Sequence, residues 1–190
     1  MNDLIERAMA FAEEAHKGQV RKYNGQPYFT HPARVAKRLE NLGFWPEMVA
    51  AGYLHDVVED CGVKIEEIRS LFGDKVADLV LGLTNPSKGL KASRAERKKI
   101  DREHLATQTK NVKIIKLVDR IDNIREMNDA DTDFKLLYAK ETLLLIPCLY
   151  SSNGLDDPMS AGPLFSSFYY ELVHELGKLA SDMAGIDLGR

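Results

Sequence analysis

Cysteine is scarce in this sequence, and its pattern excludes two classes of protein. The 190 residues contain two cysteines, Cys61 and Cys148, and no CxxC pair. A disulfide-stapled secreted scaffold and a cysteine-rich zinc site both need more cysteines at closer spacing. Nothing at the N-terminus resembles the basic, then apolar, then small-residue pattern of a signal sequence. We therefore expect a reduced, cytoplasmic protein.

Long apolar runs and a strong charge of one sign are also missing. Apolar runs such as residues 143–146 are only a few residues long, whereas a membrane-spanning helix needs about 20 apolar residues. The formal net charge is −3 and the pI is near 6.0, which is untypical of a protein with a broad nucleic-acid interface. We expect neither a membrane nor a nucleic-acid partner, and a small molecule as the ligand.

What the sequence does contain is helical periodicity along most of its length. Hydrophobic residues make up 44% of the chain, which is enough for the core of one globular domain. The spacing of apolar residues, with Gly18, Pro32, Gly43 and Pro46 as boundaries, predicts these helices: 4–15, 32–42, 46–60, 64–72, 74–84, 93–109, 111–128, 132–149 and 164–184. No stretch alternates long enough for a sheet. We predict an all-α fold, a compact single-domain helical bundle over 1–190, with loops over 18–31 and 151–163.

Four ionisable side chains lie close together in the predicted third helix. They are His55, Asp56, Glu59 and Asp60, and a spacing of four residues predicts that all four project from one side. Three carboxylates this close repel one another unless a positive charge lies among them, and a divalent cation meets that need. Imidazole nitrogen beside carboxylate oxygen is typical of manganese, iron or zinc sites rather than calcium sites.

Other segments must supply the remaining ligands, because adjacent residues fill only part of a coordination sphere. His31 stands just before a helix-starting proline, and Asp119 lies in the strongly apolar segment KIIKLVDRIDNI. Each residue alone has a structural interpretation: residues 55–56 as a solvated helix end, Asp119 paired with Arg120 or Arg125, and His31 as a helix cap. Their occurrence together, in order, on separate helices favours a metal site.

Four segments carry a resemblance to a known family. They are AHKGQVRKYNGQPYFTHPARVA at 15–36, LHDVVED at 54–60, LFGDKVADLVLGLT at 71–84 and KLVDRIDNIREM at 116–127. Together they resemble the HD phosphohydrolase superfamily, and more narrowly the guanosine-polyphosphate hydrolase domain of the RelA and SpoT family and the single-domain small alarmone hydrolases. The resemblance implies an HD-type helical bundle that acts on a nucleotide polyphosphate.

The resemblance also implies a role for each matching residue. It implies four ligands of one divalent ion, manganese in this family: His31, His55, Asp56 and Asp119. It implies an acid pair that positions and activates water, Glu59 and Asp60, and three substrate contacts, Arg21, Lys22 and Asn123. The implied reaction is manganese-dependent removal of the 3′-pyrophosphate from guanosine tetra- or pentaphosphate (ppGpp or pppGpp), which yields GDP or GTP.

Two other functions stay open at this point. The same chemistry can act on an adenosine alarmone, a nicotinamide dinucleotide phosphate or a nucleoside phosphate, since Gln26 and Asp122 depart from the family pattern. A nucleotide-binding regulatory module without catalysis is disfavoured, because all six metal and acid positions are kept. We expect no synthetase domain beside the hydrolase-like region. The oligomeric state stays open, with a homo-oligomer among the alternatives.

A basic run covers residues 87–102. It contains seven cations against two acids: Lys88, Lys91, Arg94, Arg97, Lys98, Lys99 and Arg102. Such runs are usually solvated helix faces. The alternative is that part of the run closes over the phosphates, with Lys91 and Arg94 as the residues to test. The remaining histidines are not grouped with other candidate metal ligands and are interpreted as structural: His16, His104 and His174.

Overall fold

A computed structural model describes residues 2–150 and 163–184, and its regular elements are all helices. They are α1 (Asp3–Ala15), α2 (Thr30–Asn41), α3 (Pro46–Leu54), α4 (Val57–Asp60), α5 (Ile65–Phe72), α6 (Asp74–Leu83), α7 (Arg94–Ala106), α8 (Lys110–Arg125), a 3-10 turn (Met127–Asp129), α9 (Thr132–Tyr150) and α10 (Pro163–Ala184). An isolated bridge joins Val20 to Pro27. The all-α prediction is confirmed. The loop predicted over 151–163 lies outside the described residues, except that Pro163 begins α10.

The predicted third helix is wrong in one respect, because it does not run on to Asp60. α3 ends at Leu54, and a new helical turn, α4, follows after His55 and Asp56. A continuous helix would offer the carbonyl of Gly52 to the N–H of Asp56. Here that carbonyl lies 2.9 Å from Nδ1 of His55 instead. The interruption places His55 and Asp56 at a junction between helices, where their side chains can face inward together.

Helices α2 and α3 approach each other closely at Gly52. A Cβ atom at this position would lie 2.9 Å from Cδ1 of Leu39 and 3.0 Å from Cα of Ala36. Only glycine allows this approach without displacing the α2 backbone. The close packing brings His31, in the first turn of α2, to the end of α3, where its ring centroid lies 5.2 Å from that of His55.

The core is organised around α8, which packs against α2, α6 and α10. Its apolar residues Ile115, Leu117, Val118 and Ile121 are buried, and Asp119 lies among them with 5% of its surface exposed. The prediction of an almost wholly buried helix is therefore confirmed. None of the helices in the described ranges is both long and apolar enough to cross a membrane. A single domain over 1–190 stays a prediction.

Candidate functional site

Three of the predicted ligands come together where α2 meets the α3–α4 junction. Ligand atoms of His31, His55 and Asp56 all lie within 4.8 Å of one another. Oδ2 of Asp56 is 3.1 Å from Nε2 of His55 and 3.8 Å from Nε2 of His31. Both imidazoles are buried, with exposed fractions of 1% and 2%. The interpretation of His31 as a helix cap and of residues 55–56 as a solvated end is wrong.

Asp119 adjoins this cluster from α8. Its Oδ1 lies 3.1 Å from Nε2 of His31 and 3.9 Å from Nε2 of His55. Its Oδ2 lies 2.8 Å from Nζ of Lys116, one turn earlier in α8. Burial alone would raise the pKa of Asp119, but Lys116 and His31 hold it well below its usual value.

The expected alternative partners of Asp119 are engaged elsewhere. Arg125 pairs with the acids of α10, Glu171 and Glu175, at 2.8 Å each. The guanidinium of Arg120 lies over the ring of Tyr138, 4.4 Å from its centroid. Asp119 is therefore held by Lys116 within its own helix and by the histidine cluster, and its pairing with either arginine is excluded.

Glu59 and Asp60 point in different directions, contrary to the prediction that the acids share one side of a helix. Glu59 accepts hydrogen bonds from the backbone N and from Nδ2 of Asn85, at 2.6 and 3.0 Å. Asp60 accepts from Nζ of Lys88 at 2.9 Å and from the hydroxyl of Tyr28 at 3.1 Å. The two carboxylates therefore have different partners, although Asn85 and Lys88 both line one cleft with Glu59.

Tyr28 connects Asp60 to the cluster. Its hydroxyl lies 2.9 Å from Oδ2 of Asp56 as well as 3.1 Å from Oδ2 of Asp60, and its ring stacks on the buried His16 at 4.8 Å. Burial, together with the two carboxylates, raises the pKa of Tyr28 far above its usual value. The hydroxyl therefore stays a donor, and His16, interpreted from sequence as structural, supports it from behind.

The three predicted substrate residues lie at a cavity of about 300 Å³, whose walls include Tyr23 and Phe134. NH2 of Arg21 donates to Oδ1 of Asn123 at 2.8 Å, and Nδ2 of Asn123 donates to Oδ1 of Asp119 at 2.5 Å. Nζ of Lys22 lies over the rings of Tyr23 and Phe134, 5.2 and 5.4 Å from their centroids. Arg21 therefore reaches toward the cluster, whereas Lys22 covers the aromatic wall.

Part of the basic run lines a second cleft of about 400 Å³, whose walls include Glu59. Its four cationic residues are Lys88, Arg94, Arg97 and Lys98. Arg94 is already paired with Glu141, through contacts of 2.6 and 3.1 Å, and Lys91 is exposed and not part of the lining. The run is thus partly a cleft wall and not only a solvated face.

A sequence profile of one family, described as HD domain, matches residues 8–146. The match covers well over half of the chain and includes all nine predicted site residues. This chain belongs to the HD domain family.

Curated relatives and one solved structure are similar to this HD domain. A Synechocystis sp. protein named "Probable guanosine-3′,5′-bis(diphosphate) 3′-pyrophosphohydrolase" is 41% identical over 155 residues, which is 80% of this chain and 20% of that protein. A Streptomyces coelicolor "GTP pyrophosphokinase" is 35% identical over 184 residues, 93% of this chain and 22% of that protein. The chain spans about a fifth of the length of these relatives. A solved structure described as a metazoan ortholog of SpoT that hydrolyzes ppGpp has a TM-score of 0.77 at 24% identity, over 94% of this chain and 96% of that one. It shows the same fold.

The donor set of this HD domain fits a divalent metal ion. His55 directs Nδ1 to the Gly52 carbonyl, which assigns its proton to that nitrogen and leaves a lone pair on Nε2. That buried Nε2 has no hydrogen bond of acceptable geometry, although Oδ2 of Asp56 lies 3.1 Å away. Two lone pairs facing each other at this distance need a proton or a cation between them. Two imidazoles with carboxylates suit manganese, iron or zinc.

Several residues of the site were not identified from the sequence. Tyr28 and Arg34 give no signal of their own, and Lys88 is noted only as a member of the basic run. Asp122 was noted only as a departure from the family pattern, although its spacing from Asp119 places both on neighbouring positions of one helix face. The ligand, acid and substrate roles of the nine predicted residues stay predictions, as do the cytoplasmic location and the oligomeric state.

Proposed function

We propose that this HD domain is a manganese-dependent 3′-pyrophosphohydrolase that converts ppGpp and pppGpp to GDP and GTP with release of pyrophosphate. The observation that carries the proposal is the position of the buried His31, His55 and Asp56 cluster, with its unpartnered Nε2. An aromatic cavity adjoins it at Tyr28, and Glu59 is part of the lining of a cationic cleft. A nucleotide with phosphates at both ends of its sugar has the matching chemistry.

In this proposal His31, His55, Asp56 and Asp119 hold the ion. Neutral imidazole nitrogen and ionised carboxylate oxygen are the required forms. Burial raises the pKa of Asp56, but the neighbouring His55 and His31 outweigh burial and lower it. When bound, the metal lowers the pKa of water and polarises a phosphoryl oxygen. Manganese is the family's usual ion and tolerates this mixed set of donors.

The acid pair handles protons in the proposed reaction. A water molecule attacks the phosphorus attached to the ribose 3′-oxygen, and a carboxylate of Glu59 or Asp60 accepts its proton. The bond between that phosphorus and the 3′-oxygen breaks, the 3′-oxygen takes up the proton that the acid pair removed from water, and pyrophosphate leaves. The hydroxyl of Tyr28 lies between Asp56 and Asp60, at 2.9 and 3.1 Å, and its one proton can be donated to either carboxylate.

The two cavities divide the substrate between them. The rings of Tyr23 and Phe134 offer stacking surfaces for a purine base, and Arg21 with Asn123 provides the polar edge of that cavity. The cleft offers Lys88, Arg97 and Lys98 to phosphate groups. The preference for guanine over adenine rests on the family resemblance. The following assay distinguishes the two bases.

A nucleotide panel with manganese tests the function. The protein would be incubated with ppGpp, pppGpp, their adenosine analogues, a nicotinamide dinucleotide phosphate and simple nucleoside phosphates, and products identified by mass spectrometry. The proposal expects GDP or GTP with pyrophosphate from the guanosine substrates at the highest kcat/KM. Release of orthophosphate, or turnover only of another nucleotide, would overturn it.

Metal binding is expected to strengthen as pH rises toward 9. Burial lowers the pKa of His31, but its hydrogen bonds to Asp119 and Asp122, with the charge of Asp56, outweigh burial and raise the pKa to about 9. Below that pH a proton on Nε2 competes with the metal, so apparent affinity should fall about tenfold per pH unit from this group. Calorimetric titration of manganese at pH 7, 8 and 9 measures the slope. A flat profile would contradict the role of His31.

The raised pKa of His31 also makes the free energy of unfolding of the metal-free protein depend on pH. Because the folded-state pKa of His31 is raised from its usual value of 6.5, its stabilising contribution is complete below pH 6.5 and is lost as pH rises through about 9. Chelator-treated protein should therefore show a falling free energy of unfolding over this window. Bound metal should remove the fall.

Substitutions in the cationic cleft are expected to weaken substrate binding. Lys98→Ala or Arg97→Ala should each raise KM by about 10-fold to 100-fold, because each removes a charge-assisted contact to phosphate. Burial and the nearby Arg120 lower the pKa of Lys98, so this side chain lies in a region with an excess of positive charge. Steady-state kinetics with the panel substrate that has the highest kcat/KM measures the effect on KM.

Lys91→Ala is the matched control for the cleft. Lys91 belongs to the same basic run but is exposed and does not line the cavity. Its KM should equal that of the parent. Equal effects of Lys91→Ala and Lys98→Ala would mean that the run acts only through its general charge.

A further inference from the structure

The outer side of His31, away from the metal cluster, faces a carboxylate. Nδ1 of His31 lies 2.6 Å from Oδ2 of Asp122, which projects from α8 one turn after Asp119. The imidazole is buried at 1% exposure and Asp122 is largely covered, with 15% of its side chain exposed. With the Nδ1 proton donated to Asp122, Nε2 of His31 faces Asp119 and Asp56 and offers its lone pair to a metal ion once its own proton is lost.

Arg34 holds Asp122 in place. It lies one turn after His31 in α2, and its Nε and NH2 donate to the two oxygens of Asp122 at 2.8 and 3.0 Å. This two-bond contact fixes the plane of the carboxylate as well as its position. Arg34 also pairs with Glu126, whose Oε2 lies 2.6 Å from NH2 of Arg21.

His31, Asp122 and Glu126 form a group whose ligand atoms lie within 4.8 Å of one another, as a second cation site would require. Positive charge is already supplied there by the side chains of Arg34 and Arg21. The group therefore has the composition of a hydrogen-bonded support and not of a second metal site.

We propose that Asp122 and Arg34 form a support that fixes the ring of His31, which makes Asp122 a positioning residue for metal binding. Asp122 selects the form of His31 that carries its proton on Nδ1, and Arg34 fixes the direction from which Asp122 accepts it. A carboxylate behind a metal-binding histidine restricts the ring and increases its basicity. The inference rests on the proposed function, because it requires that the cluster bind a metal.

Manganese affinity in the absence of nucleotide tests this support. Isothermal titration would compare the parent with Asp122→Asn, Asp122→Ala and Arg34→Met. Asp122→Ala should weaken binding by about 10-fold to 100-fold, and Arg34→Met by about 10-fold. Asp122→Asn keeps an acceptor for the Nδ1 proton and should lie between the parent and Asp122→Ala. Glu40→Gln, in a surface pair of the same helix with Lys37, is the control and should bind like the parent.

A second measurement separates positioning from general damage. In zinc-loaded protein, which is diamagnetic, nitrogen NMR of the histidines should report a slowly exchanging Nδ1 proton of His31 in the parent, held by Asp122, and a faster-exchanging one in Asp122→Ala. If Asp122→Ala fails to fold, Asp122→Asn and Arg34→Met carry the test. Folded variants with the affinity and His31 signals of the parent would overturn the inference alone. A parent that binds no divalent metal would overturn the proposed metal site together with it.

Discussion

Replacing Glu59 with glutamine is expected to lower kcat for pyrophosphate release by about 10²-fold to 10⁴-fold, the range that general base catalysis contributes. The glutamine oxygen can still accept a hydrogen bond from Asn85, which now donates to both Glu59 oxygens at 2.6 and 3.0 Å. An amide cannot take the proton of the attacking water. The fold and the metal affinity should stay as in the parent, because Glu59 does not belong to the His31, His55 and Asp56 group. Single-turnover kinetics measures the rate of pyrophosphate release, and a manganese titration measures the metal affinity separately.

Asp60→Asn distinguishes the two acids. Asp60 contacts Tyr28 and Lys88 rather than Asn85, so its loss should disturb the cluster through Tyr28 as well as proton transfer. Glu66→Gln, on the exposed first turn of α5, is the matched control and should leave kcat unchanged. Parent-like turnover by both Glu59→Gln and Asp60→Asn would show that neither acid handles the water proton.

Much of the fold follows from local periodicity. The apolar spacing in α5, α6 and α8 predicts their limits to within a few residues, and the apolar sequence around Asp119 predicts its burial. The break between α3 and α4 escapes this kind of prediction because the apolar pattern continues through Val57 and Val58. What interrupts the helix is a contact of the His55 ring with the carbonyl of Gly52, and hydrophobic spacing carries no information about it.

The site, like the fold, has a part that the sequence predicts and a part that it does not. His31, His55, Asp56 and Asp119 were identified because each stands in a recognisable segment, and the structure places them around one buried point. Their supporting contacts depend on how separate segments pack. Lys88 reaches Asp60 from the turn after α6, and Arg34 reaches Asp122 across the contact between α2 and α8. A linear pattern gives the residue types but not these pairings.

Charge is distributed around the cluster in a way that explains how buried acids coexist there. Asp119 faces Lys116, Asp122 faces Arg34, and Asp60 faces Lys88. Asp56 has no lysine or arginine partner in the described residues and faces both histidines at 3.1 and 3.8 Å. Asp56 is therefore the acid of the cluster whose charge is balanced only by the two histidines, and the proposed ion would add positive charge beside it.

Asp119→Asn is expected to lower the free energy of unfolding of the metal-free protein by about 3–5 kcal/mol, the usual cost of removing one partner from a buried ion pair. Asp119 is 5% exposed, and its Oδ2 lies 2.8 Å from Nζ of Lys116, which would be left without its counter-charge. Because its pKa is far below the usual value in the folded protein, this contribution is present above about pH 4 and is lost as pH falls. Urea unfolding at pH 7 with a chelator measures the difference.

The double variant Asp119→Asn with Lys116→Met tests the cause of that loss. Removing both charges should recover part of the stability, since the uncompensated lysine is gone. Manganese should raise the melting temperature of the parent but have little effect on either variant, because both lack the Asp119 carboxylate. If Asp119→Asn alone were as stable as the parent, Lys116 would have to be solvated or paired with another acid in that variant. If manganese still stabilised Asp119→Asn, Asp119 would not be a ligand of the metal.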